Sequence, residues 1–288
     1  MATLNYDIIV VGAGHAGIEA SLASARMGNK TLLVTLEIDK SGAMSCNPSI
    51  GGLGKGHIVK EVDVLGGEMA LAADATCIQF KRLNAKKGPA VRGSRAQCDK
   101  FLYSKYMTKR LGSHLNLDVL SGEVSRLVIE NQKCCGVVLL DGSSIRSKAV
   151  VITTGTFMRA TLHFGLKKIE GGRIGDKATY GISEQLIENG FDIKRLKTGT
   201  PPRLDRKSIN WDLLEPSSGD KEFIPFSYKN INKELSLPQI QCYLSYTNEK
   251  THEIINSNLH LSPMFSGIIT GIGPRYCPSI EDKITRFS

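Results

Sequence analysis

Tyr6-Asp7-Ile8-Ile9-Val10-Val11-Gly12-Ala13-Gly14-His15-Ala16-Gly17 is the stretch whose reading decides the fold. Its first half is a short β-branched apolar run, of the kind that lies buried on both faces of a parallel sheet. Its second half has the spacing G-x-G-x-x-G. The residues that follow predict an alanine-rich helix over 16–27, with Gly28 as its stop, and then a second buried strand over 30–34. Strand, tight turn, helix and strand form the context in which this glycine spacing denotes a dinucleotide site. Gly12 permits the tight turn, Gly14 lets a pyrophosphate approach the backbone, and Gly17 lets helix and strand pack closely. The pyrophosphate would rest on the helix N-terminus, where free N–H groups and the helix dipole favour an anion. The fingerprint also expects a ribose-binding carboxylate near the end of the second strand. Thr35 stands there, with Glu37 and Asp39 just beyond, so this stretch leaves NAD and FAD both open.

The chain has 288 residues, enough for two domains, and its 41% hydrophobic and 23% charged content is that of a globular protein. No apolar run approaches a membrane span and the N-terminus lacks a secretory pattern, so a cytoplasmic protein with no membrane partner is expected. Seven cysteines, none in a C-x-x-C pair, and six histidines indicate neither a disulfide framework nor a metal site. The net charge of +9 has one source. Residues 81–110 hold ten of the 37 Lys and Arg residues and one acid, Asp99; the remaining 27 basic and 27 acidic residues cancel. Such a run is either a solvated face or a surface for a polyanion. Lys86, Lys87, Arg92 and Arg95 are the candidate phosphate contacts.

Beyond the second strand, four glycines and a proline in 45–56 predict an irregular loop, with Lys55 beside a backbone anion nest. Ile58, Val62, Leu65, Met69 and Ala72 then repeat at helical spacing. A turn-punctuated basic segment over 80–92 leads into a helix expected over 95–111. Four short strands follow over 119–151, and Ile152-Thr153-Thr154-Gly155-Thr156 ends the last of them in a glycine turn. A βαβ opening, a β-meander and a returning apolar strand predict a three-layer Rossmann-like FAD-binding domain over 1–204. A helix ending at Asn189, a strand over 191–196 and, from 205 to 288, an inserted second α/β, NAD-type domain with the start of the return to a discontinuous FAD domain complete the expected plan. Near the C-terminus, Ser279 with Asp282 forms a variant capping box that predicts a helix start. Arg275 and that helix start are conditions that lower a thiol pKa at Cys277, with a buried inert cysteine as the other reading.

Several long motifs now converge. They are G-A-G-H-A-G at 12–17, M-S-C-N-P-S-I-G-G-L-G-K-G-H at 44–57 and N-A-K-K-G-P-A-V-R at 84–92. K-T-G-T-P-P-R at 197–203, T-N-E-K-T-H at 247–252 and G-P-R-Y-C-P-S-I-E-D-K at 273–283 follow in order. Together they resemble the MnmG (GidA) family, flavoprotein subunits of the enzyme that modifies the tRNA wobble uridine. The resemblance implies FAD, NADH, methylenetetrahydrofolate as one-carbon donor and glycine or ammonium as amine donor. It implies the GTPase MnmE and tRNA as partners, and a homodimer that joins MnmE in a heterotetramer. The product would be an aminomethyl or carboxymethylaminomethyl group on C5 of uridine 34. Matched residue by residue, Gly12, Ala13, Gly14, His15, Ala16 and Gly17 would hold FAD, with Val124 and Thr179 as further contacts. Gly273, Pro274, Arg275, Tyr276, Cys277, Pro278 and Ser279 fall in the stretch assigned to NAD binding. Cys46 and Cys277 match cysteines implicated in activity.

Members of that family continue past the position of Ser288, so a fragment or a truncated product is expected, with reduced flavin retention and partner binding. Two other readings stand beside it: a folate- and FAD-dependent tRNA uridine-54 methyltransferase, and a non-catalytic tRNA- or partner-binding fragment. A plain flavin disulfide reductase would need the C-x-x-C that the chain lacks.

Overall fold

The computed structural model describes residues 5–273 and 278–287. The chain opens with strand β1 (Asn5–Val11), helix α1 (His15–Arg26) and strand β2 (Thr31–Thr35). Next come β3 (Ser49–Gly51), α2 (Lys55–Val64), α3 (Met69–Ala75), β4 (Cys77–Leu83), β5 (Gly93–Cys98) and α4 (Lys100–Leu111). Four strands follow: β6 (Leu117–Ser121), β7 (Val124–Glu130), β8 (Lys133–Leu139) and β9 (Ser144–Ile152). These elements and the excursion Ser217–Cys242 form one compact unit with Met1–Gly155; Thr156–Pro216 and Tyr243–Ser288 form a second. The boundary expected at 204/205 falls inside the second unit rather than at its edge.

In the first unit a six-stranded sheet has the order β6-β2-β1-β9-β8-β7. β1 pairs in parallel with β2 on one side and β9 on the other, with Val11 opposite Val34 and Ile152. The expected return of the last strand to the first is therefore met. The meander continues from that sheet: β8 pairs in antiparallel sense with Ser144, Ile145 and Arg146 at the start of β9, and β7 pairs in antiparallel sense with β8. A second, three-stranded antiparallel sheet has the order β3-β5-β4. One apolar cluster joins the two sheets and helices. Val10, Ile18, Leu22 and Leu33 meet Phe80, Tyr103, Met107, Leu111 and Phe226, all essentially buried. Each large side chain of this kind contributes roughly 1.5–3 kcal/mol on removal from water.

Polar ties set the helices around that core. The Glu19 carboxylate on α1 accepts from the N–H groups of Glu68 (2.9 Å) and Met69 (2.7 Å), capping α3 from a neighbouring helix. Glu68 in turn accepts from the Tyr106 hydroxyl and from Arg110 on α4. The excursion 217–242 is clasped by Asp74, which accepts from the N–H of Phe226 (2.8 Å) and of Ser227 (3.0 Å), and by Asp63, which accepts from Tyr228 N–H (2.9 Å).

Several local expectations are corrected. Residues 93–98 form a strand, not the start of a helix: Gly93, Ala96 and Cys98 are buried against β4, and Asp99 caps α4 by accepting from Phe101 and Leu102 N–H. The helix expected from His57 is two helices, broken at Gly66-Gly67; Ala72 and Met69 of the expected face do join the core, but the face of the first helix is displaced. Ile58 and Leu65 are exposed, whereas Val59 and the clasping Asp63 are buried. The loop over 45–56 is not wholly irregular, because Ser49–Gly51 pairs with Gln97, Ala96 and Arg95 of β5.

The second unit contains the hairpin β10 (Thr161–Phe164) and β11 (Lys167–Glu170), and the helices α5 (Ile182–Glu188), α6 (Glu249–Ser257) and α7 (Ile280–Phe287). Residues 191–196 do not form the expected strand; Leu196 makes only a single bridge to Ile272. The expected capping box is present: Ser279 Oγ accepts from Asp282 N–H (3.1 Å) while Asp282 accepts from Ser279 N–H (3.2 Å). Among the described residues of this unit the strands form a hairpin, a short pair of Glu215–Ser217 with Cys242–Leu244 and isolated bridges, which falls short of the inserted α/β domain expected there. No helix among the described residues is long and apolar enough to cross a membrane.

Candidate functional site

The glycine turn between β1 and α1 is built by backbone sterics. Gly12 has φ +103°, and a Cβ there would stand 2.6 Å from the Thr153 carbonyl oxygen at the end of β9. A Cβ at Gly17 would overlap the Gly12 carbonyl oxygen and stand 2.6 Å from Thr153 Oγ1. Gly14 differs: nothing lies within 4 Å of its missing Cβ, and its residue surface is open. Gly14 is the N-cap of α1 and supplies no side-chain cap, and the first turn of the helix carries no acid. The leading N–H groups of a twelve-residue helix thus carry neither a side-chain cap nor a neighbouring acid in the first turn, as a phosphate-bearing dinucleotide requires.

His15 and Ala16 lead that helix. The His15 ring packs 5.5 Å from the Tyr103 ring; its Nε2 is buried without a partner, as is the Tyr103 hydroxyl. Burial pushes the His15 pKa below its ordinary 6.5 and drives the Tyr103 phenol well up, so both are neutral at pH 7. Beyond β2, the candidate ribose ligand Glu37 pairs with Lys40 at 2.6 Å on the surface. Val124 begins β7 with its side chain buried, which leaves only its backbone to meet a ligand. Thr179 lies in the second unit, its backbone held by Phe157 and Arg159.

Cys46 is exposed in the loop before β3. Cys77 and Cys98 are opposite one another across β4 and β5, both buried, and burial pushes both thiols up to about 12. Of the nicotinamide stretch, Gly273, Pro278 and Ser279 are described; Pro274, Arg275, Tyr276 and Cys277 lie outside the described residues. The basic window is spread over β4, a loop, β5 and α4 rather than along one helix. Lys86 and Lys87 sit exposed at the tip of a loop tied by Asn84 and by Arg92, whose Nε donates to the Lys87 carbonyl at 2.7 Å. Arg95 lies on β5 opposite Lys81, which donates to Ser217.

One participant escaped the sequence reading. Thr153 Oγ1 donates to the carbonyls of Val11 (2.8 Å) and Gly12 (3.0 Å), pinning the turn to the returning strand. The T-T-G-T ending of that strand was its visible signal.

The family model described as "Glucose inhibited division protein A" matches residues 7–288. A protein of Bdellovibrio bacteriovorus named tRNA uridine 5-carboxymethylaminomethyl modification enzyme MnmG is 60% identical over the whole chain, which covers 45% of it. A protein of the same name from Geobacter sulfurreducens is 54% identical over 98% of the chain, again with 45% of its own length covered. Among solved structures, Aquifex aeolicus GidA superposes with a TM-score of 0.90 at 47% identity, over 98% of this chain and 48% of that one. The chain thus spans about half the length of the curated relatives it matches.

Proposed function

The chain belongs to the glucose inhibited division protein A family, and from that premise we propose that it is the cofactor-binding portion of a flavin-dependent enzyme that modifies C5 of the tRNA wobble uridine. What supports the reading is identity that runs the length of the chain to proteins of that named activity. The fit of the glycine turn to a dinucleotide adds to it: an open Gly14 on an uncapped helix N-terminus.

In this reading FAD takes the turn, and when bound it would supply two-electron transfer with NADH. The α1 N–H groups orient the pyrophosphate, Gly14 admits it, and Thr153 keeps the turn in register with β9. Residues 273–279 contribute to the nicotinamide site. Cys46, exposed in its loop, is the candidate nucleophile, with Cys277 as the second thiol. Addition of its thiolate at uracil C6 forms an S–C bond and moves the C5–C6 π pair onto the C4 carbonyl. C5 then attacks the methylene carbon of the folate iminium; loss of the C5 proton expels the folate nitrogen and leaves an exocyclic methylene, and addition of the glycine or ammonium amine there expels the thiolate from C6. In the full-length form the partners are tRNA, a second copy and an MnmE-type GTPase, in the cytoplasm.

Equilibrium dialysis of this chain against FAD and against NAD tests the cofactor assignment. FAD uptake lost in Gly14→Ala is expected; tight NAD binding that survives Gly14→Ala, with no FAD uptake, would overturn it. A second reading is a tRNA-binding part without turnover of its own, for which the exposed basic loop carrying Lys86 and Lys87 speaks. A bound flavin that NADH reduces separates the first reading from the second.

A further inference from the structure

Two hollows open on the first unit around α2. The larger, about 550 Å³, is walled by Leu53, Ile58, Ala90 and Val91. The smaller, about 150 Å³, has different chemistry: His57 and Lys60 from α2, Arg82 from β4 and Arg92 from the loop after it line one space with Ser94. No carboxylate lines it. Among the described residues Lys60 and Arg82 make no ion pair or side-chain hydrogen bond, and Arg92 spends only its Nε, on the Lys87 carbonyl. Asp220 accepts from the Arg82 backbone N–H at 2.6 Å and does not enter the lining.

Three cations from three separate elements would repel one another across so small a space unless an anion stood between them. The floor is rigid. Arg82 is in register with Ser94 across the β4–β5 pair, and the Ser94 carbonyl accepts the Gly52 N–H at 2.8 Å. A Cβ at Gly56 would meet the same carbonyl at 2.9 Å, so the first turn of α2 lies directly against it. That first turn has no side-chain cap and no acid. Two guanidinium groups and an ammonium, with a hydroxyl and an imidazole beside them, match the tetrahedral oxygens of a phosphoryl dianion better than a planar carboxylate.

We propose that Lys60, Arg82 and Arg92, with His57 and Ser94, form a discrete site for one phosphoryl group. It is separate from the glycine turn and from the exposed pair Lys86 and Lys87. The group belongs either to an RNA backbone or to a small phosphorylated ligand. The RNA alternative rests on the tRNA reading above; the site itself does not.

The test uses the whole chain with Lys60→Met, Arg82→Gln and the double variant, and Lys133→Met as a remote control. The first arm follows the thermal midpoint in inorganic phosphate against chloride at equal ionic strength. Wild type and Lys133→Met rise with phosphate, and the rise is lost in both site variants. An equal rise in all five proteins would overturn the proposal, since it would report only general salting of the surface. The second arm measures binding of unmodified tRNA as a function of salt. If the site holds one backbone phosphate, each single variant lowers the log–log slope by about 0.7–0.9 and the double variant lowers it no further. Two independent surface contacts would instead lower it twice over, and that result sinks the single-site geometry. A phosphate-dependent rise with unchanged tRNA slopes assigns the site to a small phosphorylated ligand. A phosphate-dependent rise in a chain that binds no tRNA retains the site and removes the tRNA reading for this polypeptide.

Discussion

Thr153 Oγ1 lies 3.0 Å from the carbonyl oxygen of Gly12 and donates to it, so the last residues of the returning strand hold the tight turn of the first βα unit. The same hydroxyl reaches the Val11 carbonyl at 2.8 Å. Thr153→Val keeps the shape and deletes both donations. It should cost about 1 kcal/mol and weaken FAD binding roughly fivefold. Dialysis of the two proteins side by side measures this, and unaltered affinity would remove Thr153 from the site.

Gly14 and Gly17 should separate binding from folding. A methyl group at Gly14 meets open space, whereas one at Gly17 overlaps the Gly12 carbonyl. Gly14→Ala should therefore leave the urea midpoint nearly unchanged while abolishing cofactor uptake. Gly17→Ala should lower the midpoint, by a cost of roughly 2–3 kcal/mol from forced backbone displacement. Equal destabilisation by both would contradict the geometry.

His15 gives a pH signature. Burial depresses its folded-state pKa below 6.5, so as the pH falls through 6.5 the unfolded chain takes up the proton first. Unfolding then binds protons, and stability declines toward acid. Between pH 7.5 and 5.5 the urea midpoint should fall more steeply for wild type than for His15→Gln. Parallel curves would mean that His15 is protonated in place.

Thiol chemistry should be uneven. With Cys77 and Cys98 buried and raised to about 12, iodoacetamide at pH 7.5 should leave both unlabelled in the folded chain and modify the exposed Cys46 early. Peptide mapping against time reads the order; early labelling of Cys98 would count against the β4–β5 packing.

Asp74→Asn replaces an acceptor that faces three donors: Phe226 N–H, Ser227 N–H and Asn230 Nδ2. The amide turns one N–H group toward another, and a buried polar group left without a partner costs about 1–3 kcal/mol. The variant should unfold at lower urea and expose residues 223–231 to protease first. Uniform cleavage elsewhere would show that the clasp is not the weak point.

The opening βαβ unit was legible because glycine spacing and apolar runs are local signals, and the return of the strand ending at Ile152 was legible for the same reason. Where sequence reading failed, a longer-range partner had decided the outcome. Arg95 and Gln97 read as helix formers, yet pairing with β4 sets a two-residue period in which Ala96 and Cys98 point inward. Ile58 and Leu65 read as the core face of a helix. Asp63 holds the buried position instead, because it is needed to bind the Tyr228 N–H. The hollow of Lys60, Arg82 and Arg92 was invisible as a group, since its members come from three elements and only the last two fall in the basic window.

The clasp by Asp63 and Asp74 has a consequence for biosynthesis. Phe226 is buried in the core that also holds Phe80, Met107 and Ile18, so that core is completed by a segment translated after residues 156–216. A nascent chain emerging N-terminus first, at roughly 5–20 residues per second, must keep the Phe226 cavity open for several seconds before its last wall arrives. During that interval the newborn chain offers an apolar groove to any holdase near the ribosome exit, and translational pausing before codon 217 should raise its aggregation in the cell.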